Sequence, residues 1–178
     1  SEAEELDRVI PAIEAIRSAV RVPVSVDTYK APVARAAIEA GASLVNDVWA
    51  FTRDSEMARV VAEAGVPVVL MHNQTHTRYR DVVMDVIARL AELREGAMAE
   101  GIGADRIILD PGIGFGKTPG HNLKLLRRLD EFQSLGAPIL MGTSRKSTIG
   151  KILDLPPDDR IEGTAAAIAL SIAGGADI

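Results

Sequence analysis

Short apolar runs alternate with longer amphipathic stretches along most of the chain, and this rhythm limits the fold more than any other feature. The runs are rich in Val, Ile and Leu, which favours strands, whereas the stretches between them have helical periodicity. The predicted strands are 22–28, 43–48, 67–72, 107–110 and 138–143, and the predicted helices are 2–18, 30–40, 54–64, 80–100, 121–134 and 158–173. Such alternation predicts a parallel sheet whose strands are joined by right-handed helical crossovers.

Glycines stand where several of the predicted helices should end. Gly41, Gly65, Gly101 and Gly136 each follow a helical pattern and precede a predicted strand or its loop. Glycine adopts the left-handed conformation that commonly terminates a helix. The four glycines therefore support the division into strand and helix units.

The two ends of the chain suggest that the pattern extends beyond it. The helix at 2–18 has no strand before it, and residues 175–178 read as the start of another strand. Five strand and helix units fall short of the eight units, about 250 residues, of a (β/α)8 barrel. We expect an α/β fold of the (β/α)8 TIM barrel type, of which this chain covers about five to six units, with 1–178 forming a single domain. A complete five-stranded doubly wound sheet is the alternative, because periodicity does not show whether a sheet closes.

The composition fits this class and excludes several kinds of partner. Of the 178 residues, 47% are hydrophobic but only 3% aromatic, so the core must be aliphatic, as in parallel α/β proteins. A net charge of −5 with scattered basic residues argues against nucleic acid or an anionic membrane surface as partner. The absence of cysteine excludes disulfides and thiolate chemistry. With no membrane-spanning run or targeting signal in sight, we expect a cytoplasmic protein.

Residues 106–118 carry the strongest functional signal, RIILDPGIGFGKT. The run at 107–109 has no polar face, so it predicts a strand buried on both sides, with Asp110 as the first residue able to meet a ligand. Pro111 ends the strand, and the glycines after it allow positive φ or a close approach to a ligand. A phosphate-binding loop of the Walker A type would need glycine where Pro111 stands. A purely structural strand-to-helix connection with a capping aspartate remains the other alternative.

Polar residues follow each predicted strand, at the edge where parallel α/β proteins bind their ligands. Each residue alone could be a helix cap, a turn residue or a solvated side chain. Together they offer carboxylate, carboxamide and ammonium groups beside apolar surfaces, which suits a flat heterocycle with alternating hydrogen-bond donors and acceptors. The residues concerned are Asp27, Asn46, Asp47, Met71, His72, Asp110, Phe115, Thr143, Ser144, Arg145 and Lys146.

Two further patterns suggest weaker sites. The basic and hydroxyl-rich segment 144–148 precedes a short helical pattern, an arrangement that attracts a carboxylate or phosphate. His72 and His76 are spaced as a pair of metal ligands could be, but they follow a strand in loop-like sequence, so an ordinary loop is the favoured interpretation. We assign no metal ligand.

Four segments, taken in order, resemble dihydropteroate synthase, the folate-pathway enzyme family that sulfonamides target. They are VPVSVDTYKAPVARAAIEAGASLVNDV, VVLMHN, RIILDPGIGFGKT with the following HN, and GTSRKSTIG. The resemblance implies a (β/α)8 barrel and a transferase that condenses 6-hydroxymethyl-7,8-dihydropterin diphosphate with p-aminobenzoate. The products would be 7,8-dihydropteroate and pyrophosphate. It also implies magnesium as cofactor and a homodimer.

The resemblance further implies roles for particular residues. Asp27, Asp110 and Lys146 would be catalytic. The pterin would be bound by Asp27, Asn46, Met71, Asp110, Gly142 and Lys146, and p-aminobenzoate by Phe115, Lys146 and Ser147.

The family's first, second and eighth strands, with the loops that bind most of the diphosphate and magnesium, have no counterpart in these residues. We therefore expect a protein limited to this sequence to be inactive. A pterin-binding methyltransferase domain acting on methyltetrahydrofolate, or an inactive fragment, are the alternatives to a synthase.

Overall fold

The computed structural model describes all residues from Ser1 to Ile178. The chain divides into two compact units, each built from two stretches of sequence. The first comprises Ser1–Leu70 and Leu93–Ile108, and the second comprises Met71–Glu92 and Leu109–Ile178. That residues 1–178 form a single domain stays a prediction.

Helices and strands alternate as the sequence predicts. In chain order the elements are α1 (Glu2–Ala19), β1 (Ser25–Asp27), α2 (Ala31–Glu39), β2 (Leu44–Asp47), α3 (Met57–Ala64), β3 (Val68–Met71), α4 (Val82–Ala99), β4 (Ile107–Asp110), α5 (Pro119–Arg127), α6 (Ser147–Leu153) and α7 (Ile161–Ala173). Short 3-10 helices cover Ala104–Arg106, Leu129–Leu135 and Pro157–Asp159. No helix combines the length and the apolar composition needed to cross a bilayer.

The strands form a sheet in the order β1-β2-β3-β4. β1 runs parallel to β2, with Asp27 opposite Asn46, and β2 runs parallel to β3, with Asn46 opposite Val69. Strand order thus follows chain order, as expected when each strand is followed by a helix that returns the chain.

The fifth predicted strand, 138–143, is only partly confirmed. Ile139 makes a single parallel bridge to Leu109, supported by bonds from Leu109 N to the Pro138 carbonyl and from Leu140 N to the Leu109 carbonyl, both 2.9 Å. Pro138 has no N–H to donate, so the ladder with β4 extends no further on that side. The N–H of Ile139 faces the last residues of the chain and bonds to the Asp177 carboxylate at 2.8 Å. Asp177 N also donates to the Ile139 carbonyl at 2.9 Å, so strand-like pairing does begin at the position the sequence indicates.

The predicted helix 121–134 is also different in the structure. A helix begins earlier, at Pro119, where Thr118 caps it, and it ends at Arg127 before a 3-10 segment takes over. Arg128 separates the two because its φ of −115° lies outside the helical range. The four glycines predicted to end helices all have positive φ, between 60° and 111°.

Both units have the aliphatic core that the composition predicts. Val33, Val45 and Val61 are fully buried in the first unit, and Leu125, Leu129 and the one buried phenylalanine, Phe132, are buried in the second. β3 and β4 are buried at every position, which explains their uninterrupted apolar sequence. Only the residues at the ends of these strands are therefore placed to meet a ligand.

Candidate functional site

Asp110 is the last residue of β4 and lies in the second unit, where it is 6% exposed. Its Oδ1 accepts the N–H of Gly112 at 2.7 Å, and its main-chain carbonyl accepts the N–H of His72 at 2.9 Å. Burial raises the pKa of the Asp110 carboxyl to about 6, although the Gly112 N–H and the positive charges of Lys146 and Lys117 oppose that shift. A ligand that donates N–H groups to this carboxylate would restore its preference for the ionised form.

Gly142 lies next to this carboxylate. A Cβ atom built on Gly142 would be 3.9 Å from Asp110 Oδ2, an ordinary contact distance. Met71, the last residue of β3, is buried and directly precedes His72. The structure therefore places Gly142 beside Asp110, and binding of a pterin by these two residues stays a prediction.

The loop after Asp110 needs its glycines. Gly112, Gly114 and Gly116 have φ values of 74°, 87° and 55°, all in the region that disfavours other residues. At Gly112 a Cβ would also come within 2.1 Å of the His72 carbonyl oxygen. The alternation of glycines in the sequence thus reflects both backbone conformation and a close approach to the residue after β3.

Lys117 turns back into this loop, which sequence reasoning missed. Its Nζ lies 3.0 Å from each of three acceptors, namely His72 Nδ1 and the carbonyl oxygens of Gly112 and Phe115. Burial lowers the pKa of Lys117 to about 7, and the negative charge of Asp110 opposes that shift. The only sequence signal for this role is a lysine that directly follows a run of alternating glycines.

His72 is engaged by Lys117. Burial and the nearby Lys117 charge lower the pKa of His72 to about 3, so its ring is neutral, and the tautomer with its proton on Nε2 leaves Nδ1 as an acceptor for Lys117. This contact explains a buried histidine at the end of β3 without a metal ion. His121, in contrast, helps to begin α5 by pairing with Thr118, as a capping residue does.

Lys146 and Phe115 form a second pair in the same unit. Lys146 Nζ lies 4.4 Å from the centroid of the Phe115 ring, within the range of a cation–π interaction. The stem of Lys146 runs past Gly114, where a Cβ would lie 3.3 Å from its Cδ. Ser147 follows as the exposed first residue of α6. The residues predicted for p-aminobenzoate thus include one direct contact pair and the residue next to it.

Asn122 joins the glycine loop to α6 and was also missed by sequence reasoning. Its Oδ1 accepts the N–H of Gly114 at 3.1 Å, and its Nδ2 donates to Thr148 Oγ1 at 2.6 Å. The residue is 1% exposed, so both bonds lie away from solvent. An asparagine in the first turn of a helix after a glycine loop gives no sequence signal for such a bridge.

In the first unit, Asp27 and Asn46 lie opposite each other at the ends of β1 and β2. Asn46 Nδ2 donates to Asp27 Oδ2 at 3.2 Å. Asn46 Oδ1 is buried and has no hydrogen-bond partner in the protein, and a buried acceptor of this kind calls for a donor. The pair therefore has an acceptor to offer a ligand.

Asp47 has a structural role. It is buried, and its two oxygens accept the N–H groups of Trp49 and Phe51 at 2.8 Å each. These bonds hold a turn in which Ala50 and Phe51 have positive φ. The interpretation of Asp47 as part of a ligand-binding edge is thus replaced by that of a turn residue.

No group of three or more acidic or histidine side chains lies together as the ligands of a metal ion would. The magnesium ion implied by the resemblance stays a prediction. We assign no residue to that ion and derive no chemical step through it.

Comparison with known proteins places this geometry in a family. A family model described as "Pterin binding enzyme" matches residues 1–178. Dihydropteroate synthase of Bacillus subtilis (strain 168) is 51% identical over 178 residues, a match that covers 100% of this chain and 62% of that protein. The chain thus spans less than two thirds of the length of this relative.

Solved structures agree. Dihydropteroate synthase of Clostridium difficile, determined in the presence of pteroic acid, has a TM-score of 0.97 and 45% identity, covering 100% of this chain and 68% of that one. The Xanthomonas albilineans enzyme in complex with 7,8-dihydropteroate has a TM-score of 0.95 and 43% identity, covering 98% and 66%. The fold class predicted from the sequence, a (β/α)8 barrel of which this chain covers part, is confirmed. Because the family match extends over all 178 residues, the chain belongs to the family of pterin-binding enzymes, and the relatives described here are dihydropteroate synthases.

Proposed function

We propose that this chain carries the pterin and p-aminobenzoate residues of a dihydropteroate synthase, a transferase of folate biosynthesis. The enzyme would condense 6-hydroxymethyl-7,8-dihydropterin diphosphate with p-aminobenzoate to give 7,8-dihydropteroate and pyrophosphate. The observation that carries the proposal is the buried Asp110 carboxylate at the end of β4, in the same unit as Lys146 and Phe115.

Asp110 would bind the pyrimidine edge of the pterin. Its two oxygens together have about four acceptor sites, of which the Gly112 N–H uses one. An exocyclic amine and a neighbouring ring N–H would therefore both find an acceptor. Such donors would also stabilise the ionised form of a carboxyl group whose pKa burial has raised to about 6. Gly142 would leave room beside Asp110 Oδ2, Met71 would supply an apolar surface, and Lys146 would reach the pterin carbonyl.

Phe115, Lys146 and Ser147 would form the p-aminobenzoate side. The Phe115 ring offers a surface for the benzene ring, and Lys146 Nζ, 4.4 Å from its centroid, supplies a positive charge beside it. The exposed hydroxyl of Ser147 can donate to the carboxylate of p-aminobenzoate. These residues favour the synthase over a methyltransferase, which would have no use for p-aminobenzoate.

Asp27 and Asn46 would bind the pterin as the resemblance implies. The support is that Asn46 Oδ1 is a buried acceptor lacking a partner, while Nδ2 is held by Asp27. A ligand N–H would satisfy that acceptor, and the negative charge of Asp27 would favour positive charge on a pterin.

The reaction joins the amine nitrogen of p-aminobenzoate to the methylene carbon of the pterin substrate. The bond between that carbon and the diphosphate oxygen breaks, pyrophosphate leaves, and the amine loses a proton. Fixed carboxylates stabilise the positive charge that develops on the pterin as the bond breaks, because they need no reorganisation during the step. Magnesium, which would neutralise the diphosphate, stays a prediction.

Binding and turnover of the full-length protein test this proposal. Calorimetric titration should detect a pterin analogue, and formation of 7,8-dihydropteroate should require both p-aminobenzoate and the pterin diphosphate. Turnover that ignores p-aminobenzoate but consumes methyltetrahydrofolate would favour the methyltransferase alternative. No binding of pterin by a folded full-length protein would reject both.

Ser147→Ala in the full-length protein should raise the KM for p-aminobenzoate more than the KM for the pterin substrate. The loss of one hydrogen bond to a charged acceptor costs about 1.5 to 3 kcal/mol, or roughly 10- to 100-fold in KM. Ser134→Ala is the matched control, since Ser134 is also exposed and lies in the second unit but belongs to no predicted ligand-binding segment. Steady-state kinetics with each substrate varied in turn give the measurement. An equal rise for both substrates would place the carboxylate elsewhere.

A homodimer and a cytoplasmic location are proposals as well. Apolar side chains on α6 and α7 are exposed in the second unit, among them Ile152, Leu153, Leu170 and Ile172, which are between 48% and 67% exposed. A second copy of the protein would cover such a surface. Light scattering of the full-length protein tests the dimer, and fluorescence of a tagged protein in cells tests the location.

A further inference from the structure

Lys117 is the residue of the glycine loop that the proposed chemistry does not use. An ammonium group has three N–H donors and no acceptor. Lys117 Nζ has three acceptors at 3.0 Å, which are His72 Nδ1, the Gly112 carbonyl and the Phe115 carbonyl, and the His72 carbonyl is more distant at 3.4 Å. Three donors thus match three acceptors when Lys117 is charged and His72 is neutral with its proton on Nε2.

Two carbonyl oxygens of the glycine loop bond to the Lys117 ammonium. The carbonyl groups of Gly112 and Phe115 converge on the same nitrogen although they are three positions apart in the chain. Without the ammonium the Phe115 carbonyl would lose this donor, and the Gly112 carbonyl would keep only the N–H of Phe115, at 3.1 Å. Gly112 also makes room for the contact, because a Cβ there would lie 3.2 Å from Lys117 Nζ.

A second contact holds the end of the same loop. The hydroxyl of Tyr79 donates to the Gly116 carbonyl at 2.9 Å. The Tyr79 ring meets the His121 ring edge-on, with centroids 5.0 Å apart, and lies 6.0 Å from the His72 ring. The backbone on both sides of Phe115 is therefore tied to side chains that follow β3 or begin α5.

We propose that Lys117 is a positioning residue, which fixes the backbone of Gly112 and Phe115 and so holds the Phe115 ring in place beneath Lys146. This inference rests on the proposed function, because it assigns Phe115 and Lys146 to the p-aminobenzoate side. We assign Lys117 to neither substrate. Its ammonium is directed at the carbonyls of its own loop, which distinguishes it from the lysine of a phosphate-binding loop.

Lys117→Met keeps a long side chain but removes the three donors. In the full-length protein we expect kcat/KM for p-aminobenzoate to fall about 10²-fold, since displacement of a substrate-positioning group by about 1 Å costs roughly that much. The KM for p-aminobenzoate should rise more than the KM for the pterin substrate. A variant that is merely less stable would instead lose active enzyme and keep both KM values.

Lys124→Met is the matched control. It makes the same change of charge on α5, where Lys124 is exposed and its ammonium bonds to no carbonyl of the glycine loop. We expect both KM values of this control to equal those of the wild type. Equal KM values for wild type and Lys117→Met, or equal effects of the two Met variants, would overturn the inference.

Restoring the amine chemically in a Lys117→Cys variant tests whether the ammonium group itself is needed for activity. The chain contains no cysteine, so Lys117→Cys introduces the one thiol of this segment. Treatment of the unfolded variant with bromoethylamine, followed by refolding, creates a side chain with an ammonium group at nearly the original position. Most of the lost kcat/KM should return, with wild type carried through the same treatment as reference. Failure of the amine to restore activity in refolded protein would contradict a role for the ammonium group.

Nitrogen NMR of the histidine rings tests the contact without any substrate. In the ligand-free wild type, His72 should be neutral near pH 7 with an unprotonated, hydrogen-bonded Nδ1, and Lys117→Met should shift that nitrogen signal. A protonated Nδ1 in the wild type would overturn the inference even if the variant fails to fold. The outcome is independent of the reaction, so a protein that binds no pterin but shows this tautomer would reject the proposed function and leave the Lys117 contact intact.

Discussion

Asp110→Asn should abolish measurable pterin binding while the protein remains folded. The change keeps the shape of the side chain but turns one acceptor into a donor, which would then face an N–H donor of the pterin. Sites that recognise polar edges discriminate by roughly 10⁴ when such a pattern is broken, or about 5.5 kcal/mol. Calorimetric titration of the full-length protein with a pterin analogue measures the loss.

An aspartate that only stabilises the turn would behave differently. Asn caps as well as Asp, and the amide oxygen of an asparagine could still accept the Gly112 N–H that Asp110 Oδ1 accepts at 2.7 Å. Pterin affinity would then be unchanged to within a few tenths of a kcal/mol. That result, in a variant whose circular dichroism matches the wild type and which unfolds cooperatively, would remove Asp110 from the proposed site.

Asp110→Asn should also increase the stability of the ligand-free protein, by an amount that depends on pH. Burial raises the pKa of Asp110 from its ordinary value of 3.8 to about 6 in the folded, ligand-free protein. The stability that the protonated carboxyl contributes is therefore fully present below about pH 3.8 and is lost as the pH rises through 6. Above pH 6 the ionised carboxylate costs roughly 3 kcal/mol, at about 1.4 kcal/mol per pKa unit.

The asparagine side chain has no proton to lose in this range, so Asp110→Asn should gain stability relative to the wild type as the pH rises from about 4 to 6 and keep that gain at pH 7. Urea denaturation of both ligand-free proteins across this range gives the difference directly. A difference that is constant with pH, or that shrinks as the pH rises, would mean that burial does not control this carboxyl group.

Gly112→Ala should destabilise the protein severely. Alanine would have to adopt a φ of 74°, and its Cβ would lie 2.1 Å from the backbone carbonyl oxygen of His72, which no side-chain movement can relieve. We expect a loss of about 4 kcal/mol or more in the free energy of unfolding, at the upper end of the effects of single substitutions. Denaturant titration measures it, and poor recovery of folded protein would agree with it.

Gly136→Ala separates the penalty of a positive φ from the penalty of the contact with the His72 carbonyl oxygen. Gly136 has a similar φ of 60°, but a Cβ there would meet no atom within 4 Å. Only the conformational penalty of roughly 1 to 2 kcal/mol should therefore appear. Equal losses in the free energy of unfolding for the two variants would show that the loop can move away from His72 at little cost. The close approach of Gly112 to His72 would then not stabilise the loop.

The sequence by itself determined the order of strands and helices and the composition of the core. β4 coincides with the predicted 107–110. An apolar run without a polar face predicts a buried strand, and the carboxylate and proline that follow it mark its end. The glycines at 41, 65, 101 and 136 were recognisable because positive φ at a helix end leaves a mark on residue type. Asp110 was identifiable because it ends a buried apolar run directly before a proline.

Only the tertiary structure decided which polar residues at the strand ends serve the fold. Asp47 ends β2 as Asp110 ends β4, yet its oxygens are used by the N–H groups of Trp49 and Phe51. No local pattern assigned a role to Lys117, and its contact with His72 joins residues 45 positions apart in the chain. Local sequence patterns indicate backbone conformation and burial. Hydrogen bonds between residues far apart in the chain depend on the tertiary fold. The roles of Asp47 and Lys117 could therefore not be predicted from their neighbours in the sequence.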